Sequence, residues 1–298
     1  MDSCLIREFE TYRIFYSCVI CLLALFLSGC GTKNDTHNEN PEQAEREAVV
    51  MRDEVLKSLG TSKITEQLHS NGAAFDNQLL HDVSRAKYVK RDNKGAAALV
   101  LGVYMSDLSY LIAFDKRDEA GLYFDACFKL SDYLGMKKQF GQALQFGFNE
   151  IISGDEKLEK SFDQLFKDAD NTATEEEFKK LHAASLTGYY VEELYHLAAF
   201  AQSYLPVDST DQVFISSVKN LVDQKDELNN LIGYFDHFKL KSKGISAYQD
   251  LLDLQKKYLA LDRDKLLSET DPSILLQNDQ LKDILNVIVT LRQRIVSL

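Results

Sequence analysis

At 298 residues, with three prolines and no tryptophan, the chain has room for one large domain or two small ones. Its formal net charge of −12 leaves no basic footprint for nucleic acid or for lying on anionic lipid. An acidic surface is otherwise usual for a folded domain, so charge excludes partners and names none.

In chain order, the first signal is the apolar run Ile14–Leu27. It is too short to span a bilayer as a helix, which takes about 20 residues, and fits the core of a secretory signal. The segment ahead of it carries Asp2, Arg7, Glu8, Glu10 and Arg13, so it is mixed in charge rather than basic. The run ends in Leu27-Ser28-Gly29-Cys30, which resembles the bacterial lipobox. That resemblance implies a signal peptide over 1–29, cleavage before Cys30, and acylation of its thiol and new amino group. Each buried methylene contributes about 0.8 kcal/mol, so several acyl chains hold where one is marginal. Residues 30–41 then read as the lipidated cysteine and a polar, flexible tether. Gly31, in place of an acid, resembles the sorting pattern for the outer membrane and leaves the membrane face open. Cys4, Cys18, Cys21 and Cys30 belong to the signal and its cleavage site, so Cys127 is the one cysteine of the domain. On a helix beside Phe128 and Leu130 it reads as a small buried hydrophobe.

Residues 42–298 read as a single all-α domain. Helices are predicted over 42–59, stopped by Gly60, and over 62–90. Asp92 is placed to cap a helix over 93–114, and Asp118 the next, which closes at Gly135. Further helices are predicted over 137–152 and 156–168. Thr174 and Glu177 have capping-box spacing for a long helix ending before Pro206. Helices over 210–238, 245–262 and 279–297 follow, with a short turn of helix after Asp271-Pro272. Leu281, Ile284, Leu285, Ile288, Leu291 and Ile295 form an apolar stripe that docks the last one. Short connections imply an array of antiparallel neighbours.

Two segments are alike: GVYMSDLSYLIAF from Gly102 to Phe114, and GYYVEELYHLAAF from Gly188 to Phe200, eighty-six residues on. Six of the aligned positions are identical, against about one from ordinary composition. This suggests an internal duplication, with copies over about 93–170 and 174–240, and a loosely solenoid, tetratricopeptide-like arrangement without that family's full pattern. The two segments also look like a pair found in all-helical lipoproteins of Bacteroidota, a likeness extending over about residues 90–235. That resemblance implies fold and envelope location and carries over no catalytic residue.

On helical wheels Tyr190, Glu193, Leu194, Leu197 and Phe200 share one arc, as do Tyr104, Asp107, Leu108, Leu111 and Phe114. An acid on an apolar arc needs a partner or stays neutral. Two readings follow. Asp107 and Glu193, with Tyr104 and Tyr190, could line a cleft between the copies, fit for acid–base work or a cation. Alternatively each acid accepts hydrogen bonds from a tyrosine or a basic side chain and fixes helix register. Glu192 and His196, four residues apart, have the spacing of two metal ligands, but no third is evident nearby. Asp168-Ala-Asp-Asn lacks the glycine and terminal glutamate of a calcium loop. No nucleophile elbow, phosphate loop, zinc-protease or dinucleotide motif is present in the sequence, so neither metal nor cofactor is expected. The sequence thus points to a lipid-anchored envelope module that binds an envelope protein or small molecule, with an enzyme or cation-binding protein as the alternative.

Overall fold

The computed structural model describes residues 62–89, 93–136, 176–203, 212–240 and 247–298. Every described residue lies in one compact unit of the chain. The predicted helices over 42–59, 137–152 and 156–168, the Thr174 cap, the acidic Asp168 segment and Cys30 lie outside the described residues.

Among the described residues the fold is all helical. The α-helices are α1 (Ser62–Ser70), α2 (Lys94–Ala113), α3 (Arg117–Tyr133), α4 (Glu176–Ser203), α5 (Gln212–Val222), α6 (Lys225–His237), α7 (Ala247–Ala260), α8 (Arg263–Ser268), α9 (Pro272–Gln277) and α10 (Asp279–Val296). Short 3₁₀ turns at Asn77–Leu79 and Val83–Tyr88 stiffen the strap between α1 and α2.

Several predicted boundaries shift for local reasons. The helix expected over 62–90 stops at Ser70, because Gly72 takes a left-handed φ of 92°. Ala73 N–H then bonds back to the Leu68 carbonyl and Gly72 N–H to that of His69, a Schellman close. Gly135, at φ 78°, ends α3 the same way, as its position predicts. The cap of α2 is Asn93, whose side chain accepts from Ala96 N–H, and not Asp92. Asp118 lies inside the first turn of α3, where it complements the helix dipole without capping. The helix expected over 210–238 breaks at Asp223-Gln224 into α5 and α6. Tyr258 and Tyr190 donate their hydroxyls to the Leu221 and Gln224 carbonyls at this break, which satisfies two buried acceptors.

The centre is the pair α2 and α4, which make the largest interface among the described residues. Every residue of α2 from Ala96 to Leu111 is buried. A helix apolar on all sides belongs inside a protein or a membrane. Although α2 is long and apolar enough to cross a bilayer, 89% of that stretch is covered by protein. The two helices run in the same direction: Lys94 meets Glu177, Leu99 meets Gly188, and Tyr110 meets Phe200. They touch backbone to backbone. A Cβ on Gly102 would fall 2.0 Å from the Ser185 carbonyl oxygen, and one on Gly188 would fall 1.9 Å from that of Leu99. These contacts are reciprocal, since 99 and 185, like 102 and 188, are equivalent under the 86-residue offset.

Around this pair, α3 folds back on α2, and α7 packs antiparallel to both α6 and α10. The stripe on α10 is buried as predicted, each large side chain contributing about 1.5–3 kcal/mol. That last helix contacts both α4 and α2. A solenoid element touches only its neighbours, so this return contact makes the described helices a closed bundle around a parallel pair.

Candidate functional site

Four chain segments bring ionisable side chains together beneath the strap: α2, α4, α10 and residues 76–82. Asp107 on α2, with Glu192 and His196 on α4, is fully buried. His196 Nε2 lies 3.4 Å from Asp107 Oδ1 and 3.9 Å from Glu192 Oε1. The four-residue spacing puts Glu192 and His196 on one face of α4. Asp107 reaches them because α2 runs beside α4 in the same direction. The third ligating group that is not evident near Glu192 in sequence thus comes from the other helix.

Each carboxylate is held by a donor on its far side. Asp107 Oδ2 accepts the His81 backbone N–H at 2.9 Å. Glu192 takes a forked contact from Arg292 of α10, with Nε donating to Oε2 at 3.0 Å and Nη2 to Oε1 at 2.9 Å. Arg292 also donates to the Leu79 carbonyl at 3.4 Å and lies over the Tyr195 ring, 4.4 Å from its centre. By contrast, Asp107 Oδ1 and both ring nitrogens of His196 make no hydrogen bond.

Burial dominates the protonation of this cluster. It pushes Asp107 up to about 8, against the pull of the His81 amide and Arg292. Burial, then the Asp107 carboxyl, push Glu192 up to about 7, while Arg292 opposes. Desolvation lowers His196 to about 4, so its imidazole is neutral at pH 7 and its contact with Asp107 is not an ion pair. His81, stacked on Tyr104, is lowered to about 4 by burial and by Arg292.

The tandem acids have separate surroundings. Glu193 Oε1 accepts from Thr65 at 3.2 Å and Ser106 at 3.4 Å, and Tyr189 adds a further hydrogen bond to the carboxylate. Burial raises it to about 8. Asp107 and Glu193 therefore have different hydrogen-bond partners. Neither acid hydrogen-bonds the tyrosine of its own arc, Tyr104 or Tyr190; the tyrosine that Glu193 meets is Tyr189. Tyr104 donates to the Asp82 carbonyl and Tyr190 to that of Gln224. Tyr123 likewise takes the His81 carbonyl, and Tyr110 receives the Asp76 N–H, so phenols fasten the strap over the cluster. His182 pairs with Tyr234 at 3.0 Å. Cys127 is fully buried and burial raises its thiol, which suits packing better than nucleophilic chemistry.

The sequence reading missed Arg292 and His81. Arg292 follows Leu291 on an apolar stripe, a signal that it sits at a core edge; His81 acts through its amide, which no side-chain pattern reveals. Two surface grooves, of about 660 Å³ along Val83–Val89 and α3 and about 540 Å³ at the end of α10, are lined by none of the cluster residues. No family model matches the chain, and no curated protein or solved structure matches it either.

Proposed function

We propose that this chain is a lipid-anchored helical protein of the bacterial cell envelope, held on the outer membrane through Cys30. It acts as a binding or scaffold module for an envelope protein or small ligand, akin to the Bacteroidota lipoproteins that its two like segments resemble. The observation that carries the reading is Leu27-Ser28-Gly29-Cys30 closing the apolar run Ile14–Leu27. Support for binding over catalysis comes from the site. The Tyr104 and Tyr190 hydroxyls are occupied by carbonyls, Glu193 is engaged by Thr65 and Ser106, and the Asp107 cluster is closed to solvent.

The test is metabolic labelling with a palmitate analogue and membrane fractionation of wild type and Cys30→Ala. The wild type carries label and sediments with outer membranes; Cys30→Ala loses the label and leaves that fraction. Unchanged labelling and fractionation in the variant would refute the anchor. Cross-linking in intact envelopes then tests the module: a recurrent partner supports it, and none across growth conditions counts against it.

A further inference from the structure

We propose that Asp107, Glu192 and His196 form a binding site for one divalent transition-metal cation of the zinc class. The donor set, two carboxylates and a neutral imidazole, is the kind that binds such ions and leaves room for a further ligand. Their candidate ligand atoms all lie within 4.8 Å of one another, two of the separations being 3.4 and 3.9 Å. Zinc binds oxygen and nitrogen at about 2.0–2.2 Å, so tetrahedral ligands stand about 3.3–3.6 Å apart. Side-chain rotations of about an ångström would close the set without moving either helix.

The satisfied atoms point the same way as the unsatisfied ones. Asp107 Oδ2 is pinned by the His81 amide, which leaves Oδ1 without a hydrogen bond and facing His196. Arg292 fixes Glu192 through its forked contact, and a carboxylate has about four lone-pair positions, so a metal contact at Oε1 remains open. Such outer partners orient metal-ligating carboxylates in established sites. His196 is fully buried, yet neither ring nitrogen has a hydrogen-bond partner. A buried donor or acceptor left this way costs about 1–3 kcal/mol. A dication would engage the imidazole and both acids together and offset the charge that makes their burial costly. The competing occupant is a proton shared between Asp107 and His196, which would satisfy one atom of each and leave Glu192 to Arg292 alone. Arg292, with a side chain 15% exposed, is the member of the network that reaches solvent, so a cation would enter beside it.

The test is Zn²⁺ titrated into chelator-stripped full-length protein in detergent, followed by calorimetry and by X-ray absorption of the loaded protein. The expected result is saturable binding of one equivalent, a raised Tm, and a light-atom coordination shell containing imidazole. Asp107→Asn and His196→Gln should each weaken binding at least tenfold, while Glu193→Gln, outside the cluster, binds like wild type. Binding that is unsaturable, a shell without imidazole, or undiminished affinity in His196→Gln would each overturn the proposal. Tight Ca²⁺ binding in place of Zn²⁺ would overturn the assigned class. Should Asp107→Asn lose its helical circular dichroism, the wild-type stoichiometry and absorption spectrum decide alone.

Discussion

Replacing Gly188 by alanine tests the central crossing directly. The new methyl carbon would stand 1.9 Å from the Leu99 carbonyl oxygen and 2.7 Å from its carbon. Ordinary carbon–oxygen contact is about 3.3 Å, so α2 and α4 must part by about 1.4 Å. The obstacle is backbone, which no rotamer change can move. Overpacking a core costs about 1–3 kcal/mol where side chains can yield. Separating so large an interface adds lost contacts, so about 3–5 kcal/mol is expected for Gly188→Ala, and similarly for Gly102→Ala. At about 2–4 °C per kcal/mol for a domain of this size class, Tm should fall by roughly 6–20 °C. Gly121→Ala and Gly233→Ala are the controls, because each sits in a helix with nothing within 4 Å of the added carbon. There alanine should stabilise by about 0.5–1 kcal/mol through helix propensity. Thermal unfolding followed by far-ultraviolet circular dichroism reads all four. A Gly188→Ala Tm within 2 °C of wild type would refute the close crossing, as would equal losses in the controls.

Arg292→Ala would leave the Glu192 carboxylate buried without its partner and should cost about 3–5 kcal/mol in urea unfolding. Arg292→Met combined with Glu192→Gln should recover most of that; a single-variant loss under 1 kcal/mol would contradict the pairing. Glu227 gives the pH dependence. Burial first, then Asp223 and Asp226, raise it above its ordinary 4.5, while Arg263 opposes, and Tyr190 and Tyr258 stand near. The unfolded chain releases this proton first, so Glu227 makes stability fall as pH climbs from its ordinary value through the raised one. Glu227→Gln should therefore be the more stable at pH 8 and show a shallower decline between pH 5 and 8. Parallel profiles for the two proteins would refute the assignment.

Periodicity made most of the fold legible. The stripe from Leu281 to Ile295 and the glycine at 135 each carry a local cause, and each agrees with the structure. The stop at Gly72 was missed because an isolated glycine in a helical pattern reads as tolerable, and the break at Gln224 because its compensation comes from distant tyrosines. The site was legible in its members and not in its pairing. Asp107, Glu192 and His196 all stand out as polar groups in apolar surroundings. Yet helical arcs assume one face toward a core, and α4 is buried on every side from Leu181 to Leu194. Glu192, on the flank opposite Glu193, is core as well. A parallel α2 and α4 then set Asp107 against Glu192 and His196, a choice that no single-helix wheel contains.

The parallel central pair also governs the order in which the protein can assemble. A helix can close on its sequence neighbour through a three-residue turn, as α2 does with α3, but its main partner begins some sixty residues after it ends. At a synthesis rate of about 5–20 residues per second, α2 waits roughly 5–20 seconds for the whole of α4 to emerge. Throughout that interval an apolar segment of membrane-crossing length lacks its main partner. Inside it stands Asp107, a residue that costs about 2.5–3.5 kcal/mol at the centre of a lipid-embedded helix. The carboxyl that anchors the finished cluster therefore also discourages the nascent helix from settling into a bilayer while its partner is still being made.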